Sequence, residues 1–224
     1  MHFFKAIFAA VFATGTAAST LPAASRTAGF TLPAGLQNGV YRAYYDKDGR
    51  EVHELVKAAE NGTVNLRRGT TDSEERSFIN KRQSPGFFLY DGIWCGCGFN
   101  LDHGNCDAAV SNLENQLNVP GGDDSNCAWI DANMSFYAIS NDVVAFACNW
   151  QTTVSICGSD LAYSLQQITN SCGWYVAGTQ LLEIDWVTPD PIPYPVGYLN
   201  LGYMQYFGGE NFCAAATAGT TDHC

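Results

Sequence analysis

Two groups of residues in this chain have the types and spacing to do chemistry. The first is Cys95-Gly96-Cys97. Cysteines two residues apart on a strand project from the same face and could act as a redox pair. In an oxidising compartment the plainer reading is two separate structural bridges. The second is Asp102-His103 with Asp107. These could ligate a metal or move a proton, or form the polar loop ahead of a helix. His103 and His223 are the only histidines after residue 82, so neither a catalytic triad nor a three-histidine site is evident. Asp123-Asp124 after Gly121-Gly122 lacks the spaced oxygen ligands and closing Glu of a calcium loop. The expectation is a protein that is not an enzyme, with no catalytic residue, no metal and no cofactor. Trp129, Trp150, Trp174, Trp186 and the tyrosines near the C-terminus could build a sugar-binding platform, although aromatic side chains mostly fill cores. Trp150, in a loop after Cys148, is the candidate for exposure and ligand contact.

The chain is organised around Lys81-Arg82. All 11 Lys and Arg residues lie at or before Arg82, and all nine cysteines lie after it. Acidic residues occur on both sides, with 14 after the pair. Lys81-Arg82 is the kind of site that kexin-type proteases cut in the secretory pathway. Cutting there gives a product, residues 83–224, with no basic residue and a net charge of −14. Such a chain cannot neutralise phosphates, which argues against nucleic acid, and it is repelled by anionic membrane surfaces. Residues 1–18 have a short basic start, an apolar run and small residues, the pattern of a signal peptide. Residues 19–82 then form a pro-segment, 83–187 a disulfide-rich domain, and 188–224 a Pro- and Tyr-rich tail. The pro-segment's positive balance would let it pair electrostatically with the acidic domain, or it serves only as a spacer. Asn61 and Asn133 stand in glycosylation sequons.

Cys95, Cys97, Cys106, Cys127, Cys148, Cys157, Cys172, Cys213 and Cys224 read as a disulfide framework. The odd count leaves one thiol free or paired between chains. Cys213 and Cys224 either close the tail on itself or tie it to the domain.

The elements that position these residues follow from periodicity. Residues 39–45 and 51–56, joined by Asp46-Lys47-Asp48-Gly49, predict a hairpin. Residues 87–99 predict a strand. Cys106, Val110, Leu113 and Leu117 form one helical stripe over 105–117, with Asn105 as cap and Asp107 in the first turn. Strands over 127–140 and 143–148 follow. A second helix carries Leu161, Leu165, Ile168 and Cys172, with Ser159 as cap and Gly173 as stop. A last strand starts at Trp174. Residues 197–207 could add a further strand or hairpin. The order β-α-β-β-α-β predicts an α+β fold: a ferredoxin-like, disulfide-stapled sandwich, with two helices on one face of an antiparallel sheet.

The segment Val144-Ala145-Phe146-Ala147-Cys148-Asn149-Trp150, then Cys157, the second helix and Cys172-Gly173-Trp174-Tyr175-Val176-Ala177-Gly178-Thr179, resembles secreted fungal cysteine-rich effectors. It is similar to the necrosis-inducing-factor type, in which a strand ending in Cys-Asn precedes a helix ending in Cys-Gly. The element order also resembles the killer toxins encoded by smut viruses, which are often released by kexin-type cleavage. The likeness spans residues 94–182. It implies a small extracellular virulence or competition protein that binds a host or competitor target. Some of those toxins depend on basic residues, and residues 83–224 have none. A cell-wall carbohydrate-binding or protease-inhibiting module is the alternative.

The intact mass of the protein secreted by its native host, before and after reduction and alkylation, should correspond to a chain starting at Gln83 with four bridges and one remaining thiol. A chain starting near Ser19 would contradict the processing.

Overall fold

The computed structural model describes residues 29–59, 86–118, 127–186, 197–216, 219–221 and 224. The signal segment, Asn61, Lys81, Arg82 and His223 lie outside them.

Alternation of side chains along extended backbone lays down most of the structure. Strands β1 (Gly39–Tyr45) and β2 (Glu51–Ala58) form the expected hairpin. Asp46 shapes its turn by accepting the backbone N–H groups of Asp48 and Arg50, each at 2.9 Å, and Gly49 supplies the positive φ of 77°. β3 (Gly86–Asn100) leads into helix α1 (His103–Leu117). β4 (Ala128–Ile130), β5 (Met134–Ser140), β6 (Val143–Asn149) and β7 (Val154–Ile156) follow. Helix α2 (Gly158–Cys172), β8 (Val176–Trp186), β9 (Gly197–Gln205), the short helix α3 (Phe212–Ala215) and β10 (Thr220–Thr221) complete the chain. Eight strands form one antiparallel sheet in the order β10-β3-β8-β9-β6-β5-β1-β2, and β4 and β7 pair separately.

The fold is therefore α+β and disulfide-stapled, with a mostly antiparallel sheet, and the ferredoxin-like order is replaced. That order would place the first strand of the β-α-β-β-α-β unit between the third and fourth. Here β9 occupies the gap, between β6 and β8, and β3 pairs outside β8. Leu199, Leu201 and Tyr203 of β9 are buried toward the helices, so this strand has an apolar face for a central position. The expected boundaries at 82/83 and 187/188 do not divide the sheet. β1 pairs with β5, and the segment read as a tail supplies the central strand.

Both helices pack on one face. Cys106, Leu113 and Leu117 of α1 join Leu161, Leu165, Ile168 and Cys172 of α2 in one core, as their spacing predicts. Ala109 takes a place in the stripe beside Val110, which is half-buried. Gly178 permits the close approach of α2: a Cβ there would lie 2.5 Å from Ile168 Cγ2. The second face is covered from both chain ends. Phe30, Leu32, Tyr41 and Ala43 meet Tyr137, Ile139, Val144, Phe146, Phe212 and Cys213 there.

Both helix starts differ from expectation. Asp102, not Asn105, caps α1, accepting the Asn105 N–H at 2.9 Å. A charged acceptor at a helix N-terminus also gains from the helix dipole. This puts Asp107 beyond the first turn. The Asn105 side chain instead ties α1 to the β5–β6 turn, through Asp142 at 2.6 Å and Asn141 at 2.7 Å. α2 is capped at Cys157, whose N–H is accepted by Asp160 at 2.9 Å, not at Ser159. Gly173 ends α2 as expected.

Four bridges staple these layers: Cys95–Cys172, Cys97–Cys224, Cys127–Cys157 and Cys148–Cys213. Each closes a loop of 30 to 127 residues, and such a bridge typically contributes about 2–4 kcal/mol. Cys213 and Cys224 both tie the C-terminal region to the domain.

Burial on α1 pushes the Glu114 carboxyl from 4.5 up to about 7. The folded protein holds this proton to about pH 7, whereas the unfolded chain releases it near pH 4.5. The proton thus favours the folded state, and this contribution to stability is lost as pH rises between those values. Urea midpoints of wild type and Glu114→Gln at pH 4.5 and pH 8 check this. The variant should lose less stability on going to pH 8 than wild type does.

Candidate functional site

The site begins where α2 stops. Cys172 is bridged to Cys95 on β3, so the last turn of the helix is tied to the sheet. Gly173 follows at φ 102°, and Tyr175 takes a positive φ of 58°. A non-glycine residue in that region carries strain that the surroundings must hold. Two contacts on Tyr175 do so. Its carbonyl accepts the Leu101 N–H at 2.8 Å, and its ring stacks on His103 with centroids 3.8 Å apart and planes 13° from parallel. Its hydroxyl reaches Asp107 Oδ2 at 3.3 Å. Between these fixed residues the chain turns Trp174 outward, where it is 67% exposed. The Trp174 and Tyr175 rings are 6.1 Å apart and inclined by 46°.

The structure thus joins two sets of residues that the sequence presents separately. His103 and Asp107 stand beside Trp174 and Tyr175, one end of α1 against the end of α2. Asp102 is occupied in capping, Asp107 in holding Tyr175, and His103 in stacking. Among the described residues no group of three His, Cys, Asp or Glu side chains is arranged to hold a metal ion. What the arrangement offers is a large exposed ring on a rigid turn with two carboxylates nearby.

The other candidates are placed as follows. Trp150 is half-buried against the second-face core, and its backbone N–H donates to the Tyr198 carbonyl at 3.1 Å. Among the described tryptophan side chains, Trp129, on the small β4–β7 sheet, and Trp174 reach solvent most fully, at 53% and 67%. Asn133 lies half-exposed in a turn at φ 56° before β5. Cys95 and Cys97 do not bond to each other; each has its own distant partner. Sequence reasoning missed the prominence of Trp174, although a tryptophan directly after a helix-stopping Gly was the available signal.

A concavity of about 260 Å³ lies on the other side of the sheet, between Ala177, Thr179, Met204, Phe207, Glu210 and Ala216. Thr179 Oγ1 and Glu210 Oε2 are buried without a hydrogen-bond partner. Burial pushes the Glu210 carboxyl above its ordinary value. No helix among the described residues is long and apolar enough to cross a membrane. Comparison of the chain with family models, with curated proteins and with solved structures gave no match.

Cys106 is the unbridged cysteine, and it is buried in the helix-facing core. Burial first, then Asp107 and Asp102, push its thiol up to about 12. A buried, protonated thiol is a poor nucleophile, so it is badly placed for the bridge between chains that the odd count allowed. In the folded protein Cys106 should resist iodoacetamide at pH 8 and become alkylated once the chain is unfolded without reductant. Rapid labelling of the native protein, or a dimer that reductant dissolves, would contradict this.

Proposed function

We propose that this chain is a secreted effector or toxin-like protein, released by kexin-type cleavage, that acts by binding an extracellular or host target. The observation that carries the reading is Trp174, exposed on a turn made rigid by the Cys95–Cys172 bridge and the stacked Tyr175–His103 pair. Binding surfaces draw most of their energy from a few large side chains, tryptophan foremost. A ring carried on a backbone already held in place loses less freedom when it docks. The target face it fits is an apolar pocket with basic groups at its rim, because Asp102 and Asp107 flank the turn. The disulfide framework and the lack of Lys and Arg after residue 82 suit an extracellular setting, where trypsin-like proteases would find no site.

The alternative, a carbohydrate-binding module, gains from the same exposed ring. A flat sugar platform needs coplanar rings, and the 46° between Trp174 and Tyr175 favours a pocketed protein target. The protease-inhibiting reading has no feature of its own among the described residues.

The test compares wild type with Trp174→Ala in leaf infiltration and microbial growth assays, with a glycan-binding panel alongside. The variant should keep its melting temperature and lose activity by roughly 30-fold, the cost of removing an interface anchor worth about 2 kcal/mol. Equal activity of the two proteins would remove Trp174 from the contact. Glycan binding that the substitution abolishes would move the protein to the carbohydrate reading.

A further inference from the structure

We infer that residues 29–59 stay bound to the disulfide-rich domain after cleavage at Lys81-Arg82, so that the working molecule is a two-chain, non-covalent complex. The inference rests on the processing proposed above and changes its product. A pro-segment that merely shields or spaces would touch the domain lightly. This one completes it.

The contact has three parts. First, β1 is hydrogen-bonded along β5, with Gly39 to Tyr44 opposite Ile139 to Met134. Taking β1 away leaves β5 as an open edge, a template for pairing with other chains. Second, the segment fills both cores. Val40 packs into the helix-facing core, while Phe30, Leu32, Tyr41 and Ala43 pack into the second face. Tyr41 stacks on Tyr137 with centroids 5.2 Å apart and planes 11° from parallel. Third, polar groups close the perimeter. The Leu32 N–H donates to the Glu210 carbonyl at 2.8 Å, and the Gly209 N–H donates to the Leu32 carbonyl at 2.7 Å. The Tyr206 hydroxyl donates to the Pro33 carbonyl at 2.6 Å. His53 Nδ1 and the Tyr137 hydroxyl are 2.7 Å apart.

No cysteine precedes Cys95, so no disulfide can tether the segment to the domain. Nor does charge hold it through its arginines. Arg42 pairs with Glu54, and Arg50 with Asp46 and Asp48, all within the hairpin. The contacts described above are buried apolar surface and hydrogen bonds of backbone and side chains, which salt does not screen as it screens exposed ion pairs. Arg42 and Arg50 therefore do not supply the electrostatic pairing expected between pro-segment and domain.

The experiment uses the full chain with a site for a sequence-specific protease placed at Lys81-Arg82. The chain is purified folded with its four bridges, then cut. Native mass spectrometry and gel filtration in 0.15 M and 1 M NaCl should show both pieces in one particle at either salt. A non-reducing denaturing gel should separate them. In the cut protein, Tyr41→Ala should speed loss of the N-terminal piece at least tenfold, whereas Val56→Ala, at an exposed position of β2, should leave the rate unchanged. An N-terminal piece that leaves the wild-type particle on gel filtration overturns the inference. A native host that secretes the chain uncut at Arg82 overturns instead the processing on which it rests. The two failures are therefore read from different samples.

Discussion

The sheet is covered on both faces, and the structure depends on how the second cover is made. Helices α1 and α2 protect one face in the ordinary way. Among the described residues no long helix covers the other face. Its cover is assembled from residues 29–36 at one end of the chain and 206–216 at the other, which meet through Leu32, Gly209 and Glu210. Phe212, fully buried, sits at their junction against Tyr137 and Phe146. A two-sided sheet needs alternating strands whose both faces are apolar, and β5 and β6 meet that need, with nearly every residue buried. The Cys148–Cys213 bridge then fastens the C-terminal part of the cover to β6 beneath it.

The same economy explains the aromatic turn. A positive φ at Tyr175 is tolerable only where its neighbours over-determine it. The bridge behind it, the Leu101 hydrogen bond below it and the His103 ring above it do that. Each comes from a different element: α2 with β3, the β3–α1 connection, and the start of α1. The turn is thus a product of the tertiary fold, although the residues it presents are consecutive in sequence. Exposure of Trp174 follows from the path of the backbone rather than from any polar partner of the indole.

Local chemistry made part of this readable beforehand. The hairpin at 39–58 announced itself through Asp46 and Gly49, and both long helices through stripes of apolar residues ending near Leu117 and at Cys172-Gly173. Sheet order was not legible, because a strand's neighbours depend on partners far away. β9 shows why: Leu199, Leu201 and Tyr203 are the apolar face of a central strand, yet the same alternation suits an edge. Helix starts failed by a few residues, because Asp102 and Asn105 can each cap and only the competing attachment of Asn105 to Asn141 and Asp142 decides between them. The cysteines declared a framework but not its pairing, since bridge geometry depends on distances that spacing does not contain. Trp150 and Trp174 each follow a cysteine at the end of an element; only the packing beneath them makes one half-buried and the other exposed.

Charge segregation along the chain takes on a different meaning once the contacts are known. If the hairpin neutralised the domain, its arginines would face acidic side chains of β5 or the second-face cover. They face Glu54, Asp46 and Asp48 instead, and so spend their charge inside the hairpin. Residues 29–59 carry four basic and four acidic residues, so binding them leaves the net charge of the domain unchanged. Asp102 and Asp107 stay beside the aromatic turn at the other end of the helices, outside the second-face cluster that the hairpin fills. In the proposed contact, attraction to a basic partner surface would act on the approach, over about a Debye length of 8–10 Å, while the exposed tryptophan would supply the short-range contact. Residues 29–59, free of cysteine and balanced in charge, complete the core, and the acidic, bridged part of the chain carries the aromatic turn.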